Sequence, residues 1–211
     1  MSMKMGVLIS GRGTNLQAMI DAIDAGKLDA EIPLAISSRS DAPGLKLAGA
    51  AGIQTMTVSR EIFNKDPLQA NAIMGVELKA AECEYVVMAG FMRMLLGPVL
   101  DAFPDHVVNI HPALLPSFPG AHGIQDAYDA GVKCGGVTVH FANAVYDEGP
   151  IIAQEPVPIA ECDTVEDYET HIHEVEHRLY PQVLQALAQE RVHIVTNKAN
   201  KRVVHIDPPL S

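Results

Sequence analysis

Tryptophan is absent from the 211-residue chain, and only five Phe and five Tyr are present. A core of stacked aromatics is excluded, so the interior must be packed from Ala, Val, Ile, Leu and Met. Cysteine is scarce: Cys83, Cys134 and Cys162 form a scattered set with no paired spacing, which excludes a disulfide framework and reads as reduced cytosolic thiols. Positive charge is in deficit, with 15 Lys and Arg against 26 Asp and Glu and a formal net charge of -11. A nucleic-acid-binding face needs the opposite balance to displace counterions from phosphates. A small phosphate ligand stays open, because backbone amides can hold one without net positive charge. No apolar run reaches the length of a membrane span, and the run over residues 5–10 is too short for a signal peptide. The reading is a soluble cytoplasmic protein that binds neither nucleic acid nor membrane.

What is there instead is an alternation of strand and helix. Residues 5–10 read as a strand, and Gly11-Arg12-Gly13-Thr14-Asn15 turns into a helix that runs to about Ala25 and is closed by Gly26. Strands follow at about 31–37, 53–58 and 85–89, separated by helices over about 41–52 and 67–82, and a short buried strand at 107–110 ends at Pro112. Alternation at this spacing predicts a doubly wound α/β fold with a mainly parallel central sheet flanked by helices. Residues 135–141 read as a strand with Thr138 and His140 on one face. Asp163, with Glu166 three residues on, reads as the cap of a long helix whose buried stripe is Val165, Tyr168, Ile172, Val175, Leu179 and Val183; Pro181 should bend or interrupt it. A hairpin of residues 192–196 and 202–206 closes the chain. We expect one domain over 1–211, with a phosphate-binding half over about 1–103 and a catalytic half over about 104–211.

Three groups of residues carry chemistry. Asn109 and His111 lie two apart at the end of a strand, so both side chains leave on one face: an amide donor that never ionises beside a ring that exchanges a proton near neutrality. A lone Asn-x-His in a loop commonly bonds only its own backbone. The glycine turn after the first strand aims helix amides at an anion. As a dinucleotide fingerprint it is incomplete, with Leu16 at the third glycine, although Arg39 after the second strand could meet the extra phosphate of NADP. His173-Glu174-Val175-Glu176-His177 matches a zinc-protease motif in form. No third ligand is set up downstream, and an amphipathic helix surface flanking a buried Val175 is the simpler account.

The letters around these residues resemble the folate-dependent formyltransferases, and within that family its glycinamide ribonucleotide branch. Asn109-Ile-His-Pro-Ala-Leu-Leu-Pro116 resembles the family hallmark, and Ser10-Gly-Arg-Gly-Thr-Asn15, Ala89-Gly-Phe-Met-Arg93, Gly136-Val-Thr-Val-His-Phe141 and Glu176-His-Arg-Leu-Tyr-Pro181 resemble further motifs. The resemblance implies a Rossmann-like formyltransferase fold and transfer of the formyl group of 10-formyltetrahydrofolate to the amine of glycinamide ribonucleotide in purine synthesis. By it, Asn109 and protonated His111 stabilise the oxyanion, and Asp147 keeps His111 charged and helps relay the proton. Gly13, Thr14 and Asn15 would hold the substrate phosphate, and His173, Glu174, Val175 and Glu176 the rest of that substrate. Met92, Arg93, Met94 and Leu95, with Asn109, Asn143, Ala144, Val145, Tyr146 and Asp147, would hold the folate, and Thr138 and His140 would support the site. An arginine that contacts the folate in some relatives is missing from residues 63–67, where Lys65 stands in its place. No metal is implied, and monomer and homodimer both remain open. A transfer-RNA-directed relative would carry an RNA-binding domain and a 10-formyltetrahydrofolate hydrolase a regulatory one, neither of which fits this length. The hydrolase is the alternative; a zinc metallohydrolase on His173 and His177 and an NADP-binding module on Gly11 and Arg39 are remote ones.

Overall fold

The computed structural model describes residues 2–160 and 162–210. The chain divides into two compact units, Met1–Asn109 and Ile110–Ser211.

In the first unit, β1 (Met3–Ile9) is the centre of a parallel sheet ordered β4-β3-β1-β5-β6, with β3 at Leu34–Ser37, β4 at Gln54–Thr57, β5 at Tyr85–Met88 and β6 at Val107–His111. Met5, Val7, Leu8 and Ile9 are fully buried, as a strand covered on both faces requires. The helices are α1 (Thr14–Asp24), α2 (Pro43–Ala50), α3 (Arg60–Lys65), α4 (Pro67–Ala80) and α5 (Gly97–Leu100). The chain builds outward from β1 to β3 and β4, then crosses back to add β5 and β6 on the other side. That reversal makes the carboxyl ends of β1 and β5 the switch point, where open α/β sheets bind ligands.

Two details differ from the sequence expectation. The strand expected over residues 31–37 is two pieces, β2 (Ala30–Glu31) and β3, both beside β1. Pro33 between them has no N–H to give a ladder. The short helix α3 was not expected; it packs Phe63 into the core and stops before Pro67, which opens α4.

The second unit contains α6 (Gly123–Asp129), β7 (Cys134–Phe141), β8 (Ile151–Pro158), α7 (Val165–Ala188) and the antiparallel hairpin β9 (Val192–Thr196) and β10 (Arg202–Ile206). β8 pairs antiparallel with β7, and Ile152 and Val157 are its buried residues. Its prolines hid it: Pro156 and Pro158 argue against an interior strand, and β8 lies at the end of its sheet, where a missing N–H is tolerated. Helix α7 is capped one residue later than expected. Thr164 Oγ1 accepts from Asp167 N–H at 3.1 Å, and Asp167 Oδ2 accepts from Thr164 N–H at 3.2 Å, a reciprocal capping box. The helix continues through Pro181 over 24 residues, so of the bend or interruption expected there the interruption does not occur. The lost bond to the His177 carbonyl is offset by burial of Leu179, Tyr180, Val183 and Leu184 around it. No helix among the described residues is long and apolar enough to cross a membrane.

The shifted cap is testable. Thr164→Ala should cost about 1 kcal/mol in urea unfolding, and Asp163→Ala a few tenths at most. Equal losses in the two variants would show that the cap is misassigned.

Candidate active site

The end of β6 carries Asn109, half-buried, and His111, 4% exposed. The segment that follows is pinned by Thr138 of β7, whose hydroxyl donates to the Ala113 carbonyl at 2.6 Å and accepts from Leu115 N–H at 3.0 Å. Gln154 of β8 donates to the same hydroxyl and to the Leu115 carbonyl, both at 2.9 Å. Thr138 therefore supports the site by fixing the chain just beyond His111.

Asp147, 8% exposed, lies between two histidines. Its Oδ2 is 3.5 Å from His111 Nδ1 and its Oδ1 is 3.6 Å from His140 Nε2, while Gly120 N–H donates to Oδ2 at 2.9 Å. The other nitrogen of each ring faces a carbonyl: His111 Nε2 is 2.8 Å from Phe118 O, and His140 Nδ1 is 3.0 Å from Phe141 O. A carbonyl only accepts, so these nitrogens are the donors. The neutral His111 ring would then aim a lone pair at the carboxylate, whereas the doubly protonated ring donates on both sides.

Tight backbone geometry makes the clamp possible. Asp147 sits at φ 56 and Phe118 at φ 53, a left-handed conformation costly for a bulky side chain. A Cβ on Gly123 would stand 3.2 Å from both His111 Nε2 and the Phe118 oxygen, and one on Gly149 would overlap the Phe141 carbonyl. The sequence named Thr138, His140 and Asp147 but missed the Phe118 carbonyl, the Gly120 amide and the two glycines. The glycines themselves were the available signal.

Burial alone would push the Asp147 carboxyl up. The hydrogen bonds from His140 and Gly120 and the charges of His111 and His140 outweigh it, and hold the pKa below the usual carboxylate value.

At the switch point of the first unit, Met92 N–H donates to Ser10 Oγ at 2.9 Å, and Ser10 Oγ shares a 2.6 Å hydrogen bond with Ser38 Oγ. Met92 and Met94 are exposed, Arg93 is half-buried and Leu95 is buried. Gly13, at φ 80, caps α1 without any side-chain bond to the helix amides, with Thr14 exposed and Asn15 buried beside it. A Cβ on Gly13 would stand 3.0 Å from Gly44 Cα, so a second glycine, absent from the sequence reading, seats the loop against α2. Lys65 is exposed at the end of α3. Arg39 is engaged by Asp41 through Nε and Nη2 at 2.9 and 2.7 Å.

In the second unit, Asn143, Ala144, Val145 and Tyr146 form an exposed turn in which Asn143 Oδ1 accepts from Val145 N–H at 2.9 Å. On α7, Glu176 is 5% exposed while Val175 is only half-buried, which overturns the expected surface for the His-Glu-Val-Glu-His stretch. His173 and His177 stack with ring centres 6.1 Å apart, and Glu174 is exposed. Burial, then the His173 charge, lowers the His177 pKa. Burial and Glu176 push the Tyr180 hydroxyl well up, so it stays a proton donor. Among the described residues no three His, Cys, Asp or Glu side chains are placed to share a metal.

The family model described as Formyl transferase matches residues 3–184. The chain belongs to the formyl transferase family. A phosphoribosylglycinamide formyltransferase of Haemophilus influenzae is 37% identical over 93% of this chain and 92% of its own, and that of Escherichia coli 36% over the same shares. The trifunctional purine biosynthetic protein adenosine-3 of Gallus gallus is 40% identical over 90% of this chain, which spans about a fifth (19%) of that longer protein. The crystal structure of glycinamide ribonucleotide transformylase 1 from Symbiobacterium toebii superposes with a TM-score of 0.90 at 41% identity, covering 97% of this chain and 94% of its own. Family membership agrees with the doubly wound fold and with the sequence resemblance.

The depressed Asp147 pKa sets a pH window. The folded carboxyl binds its proton below the ordinary value of 3.8, so its stabilising contribution is complete above that value and is lost as pH falls through the folded pKa. His140→Leu removes one partner. The Asp147 titration followed by NMR should then move toward 3.8, and the fall in stability on acidification below that value should become shallower. An Asp147 titration that stays in place would show that His140 does not act on it.

Proposed function

We propose that the chain transfers the formyl group of 10-formyltetrahydrofolate to the amine of glycinamide ribonucleotide, a cytoplasmic step of purine synthesis. The observation that carries this reading is the two-sided clamp on His111, next to Asn109, in a formyl transferase whose bacterial relatives bear that activity in their names.

The donor supplies a formyl carbon activated on N10. Negative charge develops on the formyl oxygen as the substrate amine attacks, and the Asn109 amide and a proton of His111 meet it. Donors already oriented before the reaction stabilise that charge without reorganisation. Asp147 holds the imidazolium in place and helps relay the proton released by the amine. The amides opening α1 at Gly13, Thr14 and Asn15 take the substrate phosphate, and the carboxylate of Glu176, with its neighbours His173, Glu174 and Val175, takes the amine end. Residues 92–95 contact the folate, as do Asn143, Ala144, Val145 and Tyr146. Met92, Met94, Val145 and Tyr146 are large apolar side chains left exposed, which suits a flat ring ligand. The donor chemistry of the chain provides for transfer with no metal.

The test is formyl transfer to glycinamide ribonucleotide, with the donor alone as hydrolysis control. Asn109→Ala and His111→Ala should each lower kcat by roughly 10² to 10³ with a smaller change in KM. Glu176→Gln should raise KM for glycinamide ribonucleotide. Donor breakdown at the same rate without the acceptor would replace this reading by the hydrolase.

A further inference from the structure

Two of the three cysteines meet beside the start of α7, a place that none of the roles above uses. Cys134 opens β7 and stands opposite Pro158 of β8. Ile159 N–H donates to the Lys133 carbonyl at 3.1 Å, which makes Cys134 and Pro158 the adjoining non-hydrogen-bonded pair, with Cα atoms about 4.5 Å apart. Beyond β8 the chain turns, Cys162 N–H donating to the Ile159 carbonyl at 2.9 Å, and the Cys162 thiol comes back to within 3.7 Å of the Pro158 carbonyl. Pro158 therefore neighbours both cysteines.

Helix α7 covers the same spot. The Tyr168 hydroxyl lies where a Cβ on Gly135 would fall, and the Ile159 side chain is 3.4 Å from that position. Tyr168 is fully buried, and its oxygen makes no well-formed hydrogen bond, the Gly136 amide only approaching it. Burial raises its pKa and the charges of Cys134 and Cys162 add to the rise, so both sulfurs stand within electrostatic reach of one phenol oxygen that keeps its proton. One turn further along the helix, His171 Nδ1 lies 3.4 Å from Cys162 Sγ.

The three thiols differ in what they can do. Cys83 is buried, and burial raises its pKa to about 11, which keeps it a shielded thiol. Cys134 is exposed, with Sγ 3.3 Å from the Gly135 carbonyl, and Cys162 is half-buried against an exposed imidazole. The thiolate is the nucleophile, and an imidazole at that distance takes its proton. We infer that Cys162 is a thiol–disulfide exchange site with Cys134 as its resolving partner, and that it reacts with low-molecular-weight disulfides. His171 Nδ1 takes the Cys162 proton, and the thiolate attacks one sulfur of RSSR, forming a mixed disulfide and releasing RS⁻, which takes up a proton. Cys134 loses its proton to solvent and attacks Cys162 Sγ, forming the Cys134–Cys162 bond and releasing the second RS⁻. The two thiols together lose two electrons, and RSSR is reduced to two RSH. The new bond staples the first residue of β7 to the entry of α7.

The experiment incubates the full chain with hydroxyethyl disulfide and follows intact mass and peptide maps in wild type, Cys134→Ser, Cys162→Ser and His171→Ala. Wild type should lose the mass of two hydrogens through a Cys134–Cys162 link, and Cys134→Ser should stop at the mixed disulfide on Cys162. Cys162→Ser should react about tenfold more slowly than wild type. His171→Ala should slow the reaction of Cys162 by a similar factor with the rate at Cys134 unchanged, a selectivity that a general loosening of the fold would not produce. The bridged wild type should unfold at a urea midpoint about 1 M above that of the reduced protein. A mixed disulfide that persists on Cys162 in wild type overturns the inference. So does first reaction at Cys83 or Cys134, a Cys162 rate indifferent to His171, or a bridged protein with an unchanged or lowered midpoint.

Discussion

The Asp147 carboxylate, buried between His111 and His140 and fastened by the Gly120 amide, is the constraint on which the site depends. A buried carboxylate is costly unless its oxygens are filled. Here the Gly120 amide donates to it and the His111 and His140 rings stand 3.5 and 3.6 Å from its oxygens, so its burial is offset only when β6, β7 and the loop at Gly120 are all in place. The left-handed backbone at Asp147 and the approach of Gly149 to the Phe141 carbonyl follow from that demand. The same arrangement turns one nitrogen of His111 to a carbonyl and the other to a carboxylate, so the ring is oriented for proton chemistry before any substrate arrives.

The ligands proposed for this protein of net charge -11 are themselves anions. The summed charge matters less than its size suggests, because exposed charges are screened beyond a Debye length of about 8 Å at physiological salt. Within that distance two local devices act. The amides that open α1 present partial positive charge with no side chain at all, and Arg60 and Arg93, with Arg39 held by Asp41, line a cavity at the same sheet. Both sit at the carboxyl edge of a parallel sheet, so the topology that follows from alternating strand and helix also places the positive potential.

Periodicity and punctuation made the parallel sheet, the long helix, the hairpin and the Asn109-His111 pair legible in the sequence. What escaped was set by partners distant in the chain. Strand β8 was hidden by Pro156 and Pro158, which are tolerated only because of where it lies in the sheet. Asp163 and Thr164 are equally good caps by composition, and only the reciprocal bonds with Asp167 choose between them. The carbonyls of Phe118 and Phe141 and the amide of Gly120 are backbone groups, which no residue letter reveals. Gly44, Gly123 and Gly149 are conspicuous once the close approaches are seen, yet in the sequence Gly44 reads as one residue of a helix and the other two as ordinary turns.

The His173 to His177 stretch shows why local form is a poor guide to chemistry. Two histidines four apart on a helix satisfy the spacing of a metal pair, and their rings do stack. A metal needs at least a third donor, and none of the described residues completes the set. Burial redirects the motif: it holds down the His177 pKa, keeps the Tyr180 hydroxyl protonated and sinks the Glu176 carboxylate into the face of α7 that carries both. A buried carboxylate that acts on the Tyr180 hydroxyl is an acceptor in a partly dry setting, where a hydrogen bond to a charged group is worth about 1.5–3 kcal/mol. That is the setting in which a neutral amine or hydroxyl donor is recognised by its hydrogens, and it gives the helix a reason to bury an acid that solvent would otherwise hold.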